Sequence, residues 1–97
     1  MGTNNVVNHP DHYQMANGME AIDIIGAMTN NLTGVEAFDL GNAVKYLCRW
    51  KEKNGIQDLE KSVWYIQHLI SVEQKELKRQ VDMVNAQFNG GGVPNVG

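Results

Sequence analysis

Apolar residues recur every three or four positions through the last part of the chain. The recurring residues are Leu59, Val63, Ile66, Ile70, Leu77, Val81, Val84 and Phe88. This period is that of one face of an α-helix, and a helix of about 30 residues would be about 45 Å long. A chain of 97 residues forms one small domain, which is too small to cover such a helix along its whole length.

The second half of this predicted helix, from Val72 onward, has a thin apolar seam between charged residues. This composition is typical of a helix that packs against another chain, so we expect a homo-oligomer formed through the long C-terminal helix. In the alternative interpretation the end of the helix frays in solvent, because Glu73 and Asn85 interrupt or flank the seam.

Two shorter helices precede the long one. Apolar residues from Met19 to Met28 share one helical face and predict a helix over 19–30. Thr33 and Glu36 have the spacing of a capping box, which predicts a second helix over 35–53 that ends at Asn54-Gly55. The third helix is predicted over 56–86.

The ends of the chain lack helical periodicity. Residues 1–18 are rich in Asn, His, Pro and Gly, which predicts an extended N-terminal arm. The glycine-rich residues 89–97 predict a disordered tail. The expected fold is therefore all-α, a small three-helix domain over 19–88 with an extended arm and a long C-terminal helix used for oligomerisation.

Composition excludes several classes of function. The net charge of −3 argues against binding of extended nucleic acid. A lone cysteine, Cys48, excludes a disulfide framework and fits a reducing compartment such as the cytoplasm. No apolar stretch reaches the roughly 20 residues that a membrane span needs, so we expect no membrane association. The sequence has no phosphate-binding loop, no dinucleotide fingerprint and no zinc-ligand spacing.

The second helix carries a polar face with two cations. Asn42, Lys45, Tyr46 and Arg49 follow one another at helical spacing, and the interpretations left open are a phosphate site, an interhelix salt bridge and a solvated surface. The nearby Gly41 is unfavourable in mid-helix, and we expect it to allow close approach of another helix or a ligand.

A polar face of the third helix predicts a cleft opposite the second. Asp58, Lys61, Tyr65 and His68 share this face, which is distinct from the apolar one. If the two helices form an antiparallel hairpin, Lys45 approaches Tyr65 or His68, and Arg49 approaches Asp58 or Lys61. A structural Arg49–Asp58 pair is the favoured interpretation for those two residues.

Two further groups of residues have the chemistry of a site. His9, His12 and Tyr13 in the arm are candidates to contact phosphate, and the alternative is that the histidines are merely exposed. Glu20 and Asp23 are three apart and could hold a divalent cation, although paired carboxylates are ordinarily surface charge. We therefore predict no metal site.

Several blocks of the sequence together resemble a known family. They are Asn8-His9-Pro10-x-His12-Tyr13, Gly18-x-Glu20-Ala21-Ile22-Asp23, Leu40-Gly41-Asn42-Ala43-x-Lys45-Tyr46-Leu47-x-Arg49 and Asp58-Leu59-x-Lys61-x-x-x-Tyr65. In this order they resemble a family of small phage proteins of unknown function whose members are often labelled nucleotide-kinase-like. The resemblance covers about Val7 to Ile70 and implies a phage origin and a link to nucleotides. Ser62 stands where the family usually has alanine.

The helical pair also looks loosely like the all-α nucleotide pyrophosphohydrolases, but their Glu-x-x-Glu metal motif is missing from the two blocks that carry the likeness, Lys45 to Arg49 and Asp58 to Lys61. We expect a binding protein that captures a nucleotide or a nucleotide-derived signalling molecule and so sequesters a host immune messenger. One alternative is a nucleoside monophosphate kinase that uses Mg²⁺. Another is a helical adaptor that binds a host protein. The candidate ligand-binding residues are His9, His12, Tyr13, Asn42, Lys45, Tyr46, Arg49, Lys61 and Tyr65.

Overall fold

The computed structural model describes Met15 and residues 17–90, and the side chains within that range up to Phe88. Three helices follow in order: α1 over Ala21–Met28, α2 over Gly34–Arg49 and α3 over Ile56–Gly90. The predicted all-α fold and long C-terminal helix are confirmed. The third helix continues four residues beyond the predicted end at 86. Most of the predicted arm, and residues 91–97 of the predicted tail, lie outside the described residues.

The capping of α2 differs from the sequence prediction, although α2 begins within one residue of its predicted start and α3 begins at Ile56 as predicted. Thr33 makes no side-chain capping bond, so the predicted capping box of the second helix is wrong. Gly34 begins α2 with a φ of 57°, a left-handed conformation that lies outside the capping-box geometry. At α1 the Asp23 carboxylate accepts a hydrogen bond of 3.1 Å from the backbone N–H of Glu20. The Asp23 carboxylate therefore caps the N-terminus of α1.

The helices α2 and α3 form an antiparallel hairpin, and α1 packs against α2. Gly55, with a φ of 59°, ends the turn between α2 and α3, and its N–H donates to the carbonyl of Trp50 at 2.8 Å. A Cβ atom built at Gly41 would lie only 3.3 Å from Cγ2 of Ile25 in α1. The expected close approach at Gly41 is therefore confirmed, and the neighbour is α1.

The interface between α2 and α3 is formed by polar side chains as much as by apolar ones. Among the described residues the fully buried side chains are Asp39, Asp58 and Ser62. Ser62 donates a hydrogen bond of 3.1 Å to the carbonyl of Ala43, so the small residue links two closely packed helices. The polar face predicted for the third helix thus faces α2, as the hairpin model required.

The predicted buried stripe of α2 is partly wrong. Ala43 and Val44 are buried, but Leu47 is exposed, because α3 contacts the other side of α2 near its C-terminal end. The apolar face of α3 is likewise turned away from α2. We call its exposed members the apolar stripe of α3; they are Val63, Ile66, Ile70, Leu77, Val81, Val84 and Phe88.

The length of α3 makes the molecule elongated. With 35 residues it is more than twice as long as the 16-residue α2, so its C-terminal half extends beyond the hairpin. The molecule measures 70 × 30 × 21 Å along its principal axes. Within the described residues, no helix combines the length and hydropathy that would let it cross a membrane.

Candidate functional site

Cationic and tyrosine side chains from α2 and α3 meet near the hairpin turn. The Nζ atom of Lys45 lies 4.5 Å from the centre of the Tyr46 ring, and the Nζ atom of Lys61 lies 5.3 Å from the same centre. The guanidinium carbon of Arg49 is 4.7 Å from that ring centre. Tyr65 stacks on Tyr46 with ring centres 6.0 Å apart and planes 14° apart. We call these five residues the cation–tyrosine cluster.

Arg49 is held in the cluster by Asp58. Its Nε and Nη2 atoms donate hydrogen bonds of 3.2 and 3.3 Å to the two oxygens of the Asp58 carboxylate. The backbone N–H of Asn54 donates to the same carboxylate at 3.1 Å. Burial alone would raise the pKa of Asp58, but the hydrogen bonds from Arg49 and Asn54 outweigh it, and the pKa lies below its usual value. The predicted Arg49–Asp58 pair is therefore confirmed.

Lys45 and Lys61 differ from Arg49 in their surroundings. Among the described residues neither forms an ion pair with a carboxylate, and both are only half-buried. The face of an aromatic ring attracts each ammonium group but does not neutralise its charge. Two like charges held around one ring repel each other unless an anion lies between them. The cluster therefore has the chemistry of an anion site, with Tyr46 and Tyr65 as flat surfaces beside it.

A row of aromatic rings leads away from the cluster along α3. Trp64 meets Tyr65 edge to face at 5.0 Å, and it stacks on His68 at 5.2 Å with planes 4° apart. Phe38 of α2 also meets Tyr65 edge to face, at 5.8 Å. Trp64 is 57% exposed and Phe38 is 59% exposed. This surface offers aromatic faces on which a planar ligand can stack.

The structure adds one residue that the sequence analysis missed. Asp39 is buried, and its Oδ2 atom lies 2.6 Å from Nδ1 of His68. Of the two residues expected to approach Lys45, Tyr65 and His68, His68 pairs with Asp39 instead, because the antiparallel register that joins Arg49 to Asp58 also aligns Asp39 with His68. The sequence did contain a signal for the Asp39–His68 pair. If the predicted Arg49–Asp58 pair sets the register of the hairpin, the same register places Asp39 opposite His68.

Among the described residues, the candidate Asn42 is not part of the cluster. The side-chain amide of Asn42 donates to the carbonyl of Phe38 at 2.9 Å, within its own helix. His9, His12 and Tyr13 lie outside the described residues. Over the described part of the chain, no group of three or more His, Cys, Asp or Glu side chains could hold a metal ion. Of the nine predicted site residues, Lys45, Tyr46, Arg49, Lys61 and Tyr65 are brought together.

Comparison with known proteins identifies the family of the chain. The model of DUF3310, a family of proteins of unknown function, matches residues 7–67. The chain belongs to the DUF3310 family. No curated protein and no solved structure matches it. The DUF3310 match includes the whole cation–tyrosine cluster and ends one residue before His68, so the long overhang of α3 lies outside it.

Proposed function

We propose that this protein binds a nucleotide-like anion on the cation–tyrosine cluster. The observation that carries the proposal is the placement of Lys45 and Lys61, from two different helices, around the ring of Tyr46. Ammonium groups form charge-assisted hydrogen bonds with phosphate oxygens, and exposed aromatic rings stack on nucleobases. Arg49 supports this site by packing on Tyr46 while Asp58 holds its guanidinium.

The biological role we propose is sequestration. The resemblance to phage proteins suggests a phage accessory protein, acting in the host-cell cytoplasm, that captures a nucleotide or a nucleotide-derived signal and so removes a host immune messenger. Binding of this kind needs charge and stacking surfaces and no reacting group. The nucleotide-kinase-like label suggests a second candidate, a nucleoside monophosphate kinase, for which the same cations would hold the transferred phosphoryl group.

We also propose that the protein is a homo-oligomer joined through the apolar stripe of α3. Its members are between 39% and 65% exposed in the single chain. Val63, Ile70, Leu77 and Val84 follow one another at intervals of seven, the spacing with which helices of identical chains pack together. A shallow depression of about 300 Å³, lined in part by Leu77, Val81 and Val84, lies on the overhanging half of the stripe. A second copy of the helix would fill it.

Calorimetric titration with a panel of nucleoside mono-, di- and triphosphates and cyclic dinucleotides tests the binding proposal. The parent should bind at least one of these compounds. Lys45→Glu and Lys61→Glu should each weaken that binding by about ten- to a hundredfold, because each loses a charge-assisted contact with phosphate. Lys75→Glu is the matched control, since it makes the same charge change on an exposed part of α3. Binding that is equally strong in all three variants contradicts the proposal.

The same samples separate sequestration from catalysis and test the oligomer. When the protein is incubated with a nucleoside monophosphate, a nucleoside triphosphate as phosphoryl donor and Mg²⁺, recovery of both nucleotides unchanged indicates a binding protein, and transfer of the γ-phosphoryl group to the monophosphate indicates a kinase. Light scattering at micromolar concentration should give a multiple of the 10.8 kDa chain mass for the parent. Val81→Glu should reduce that mass, and Lys75→Glu should leave it unchanged. A monomeric parent would rule out the oligomer.

A further inference from the structure

Asp39 is an unusual residue for the interface of two helices. It is 1% exposed, and of its two carboxylate oxygens only Oδ2 has a hydrogen-bond partner among the described residues. A buried polar atom without a partner lowers the stability of the fold, and an apolar side chain of similar size would be at least as favourable there. Stability alone therefore gives no reason for a carboxylate at this position.

The buried Asp39 orients the imidazole ring of His68. When the Asp39 carboxylate is ionised it can only accept a hydrogen bond, and the Nδ1 atom of His68 is then the donor in their 2.6 Å contact. In the neutral ring, Nε2 then has a free lone pair on the edge away from Asp39. Parallel stacking on Trp64 fixes the plane of the ring as well. Because the side chain is 42% exposed, His68 presents an oriented hydrogen-bond acceptor at the surface.

His68 stands at the far end of the aromatic row from the cluster. It follows Lys61 by seven residues in α3, which is about 10 Å along the helix axis. Tyr65 lies between them, and Trp64 contacts both Tyr65 and His68. A separation of this order suits a nucleoside monophosphate, whose phosphate and outer base edge lie at opposite ends of the molecule.

We propose that His68, held by Asp39, forms the base-side end of the nucleotide site and that its Nε2 atom accepts a hydrogen bond from an N–H group of the base. This inference rests on the proposed function, which assigns the phosphate to Lys45 and Lys61. The role of His68 narrows the class of ligand: the site should bind a compound that has both a phosphate and a nucleobase more tightly than a sugar phosphate. Asp39 is a positioning residue, since it acts on the ligand only through His68.

Calorimetric titration of two kinds of ligand tests the assignment. The parent should bind one or more of the four common nucleoside monophosphates more tightly than ribose 5-phosphate, which lacks a base, and comparison of the four identifies the base. His68→Phe keeps a ring for stacking on Trp64 but has no acceptor. It should weaken binding of the preferred nucleotide by about three- to tenfold and leave ribose 5-phosphate unchanged. His68→Gln, which retains an acceptor, should keep part of the preference, and Gln67→Leu serves as the matched control.

The possible outcomes distinguish this inference from the function on which it rests. If the parent binds neither nucleotides nor ribose 5-phosphate, the proposed function fails. If the parent binds nucleotides and His68→Phe keeps the full preference for them, only the role of His68 is overturned. Equal weakening of both ligands in His68→Phe also overturns it, because loss of an acceptor for the base cannot affect a ligand without one.

A measurement on the parent itself covers the case in which a variant does not fold. Nitrogen–proton correlation spectra of the imidazole at pH 8 should show His68 with the proton on Nδ1. Addition of the preferred nucleotide should shift the Nε2 resonance and leave Nδ1 protonated. A proton on Nε2 in the free protein, or an Nε2 resonance that does not respond to the nucleotide, overturns the proposal.

Discussion

Substitution of Gly41 by alanine tests the close packing of α1 against α2. Replacement of glycine by alanine inside a helix normally raises the free energy of unfolding by about 0.5 to 1 kcal/mol. At Gly41, however, the added Cβ would lie 3.3 Å from Cγ2 of Ile25, and a β-branched side chain moves little about its first torsion. Overpacking of this kind costs about 1 to 3 kcal/mol. We therefore expect Gly41→Ala to change the free energy of unfolding by between zero and a loss of about 2.5 kcal/mol.

Gly26 is the matched control for this experiment. It lies inside α1, is exposed, and has no atom within 4 Å of a Cβ built on it. Gly26→Ala should therefore give the full helical gain of about 0.5 to 1 kcal/mol. Urea unfolding at one fixed protein concentration measures both variants, and a double-mutant cycle with Ile25→Ala isolates the contact. If Gly41→Ala gains as much stability as Gly26→Ala, α1 does not pack on α2 at this point.

Two further predictions concern carboxyl groups. Because the folded-state pKa of Asp58 is lowered, its contribution to stability should be present at neutral pH and be lost below about pH 4; Asp58→Asn should destabilise the protein at pH 7, by an amount that shrinks in acid. The neighbouring Glu36 and burial raise the pKa of Glu73, so the ionised pair opposes folding at neutral pH. Glu73→Gln should raise the melting temperature at pH 7, and the gain should shrink as the pH falls through the raised pKa. A gain that is independent of pH would contradict this reasoning.

Much of the fold follows from the sequence because helices are specified by local periodicity. The three apolar patterns located the helices to within a few residues, and the polar faces of the second and third helices indicated the hairpin. Gly41 indicated a close helix contact through its unfavourable position in mid-helix. The capping geometry at the start of α2 was not predictable in the same way, because the φ of Gly34 is set by the path of the chain between α1 and α2 rather than by the Thr33–Glu36 spacing.

The buried face of α2, which leaves Leu47 exposed, was the main difference between the prediction and the structure. Sequence patterns assume that the apolar face of a helix is the buried one, whereas α3 turns Asp58 and Ser62 toward α2 and leaves Val63 and Ile70 exposed. A helix with two candidate faces can place either one against its neighbour in the same chain. Only the register of the hairpin decides this, and it also brings Asp39 to His68.

The most direct test of the central claim is a nuclear magnetic resonance titration with the nucleotide that binds best in calorimetry. If the phosphate lies between Lys45 and Lys61, the ring protons of Tyr46 and Tyr65 should shift on addition of the nucleotide and give nuclear Overhauser contacts to it. Resonances of the overhanging half of α3, such as those of Leu77, should not shift. Nucleotide binding that leaves both tyrosine rings unchanged, or that shifts only residues remote from the cation–tyrosine cluster, would contradict the account.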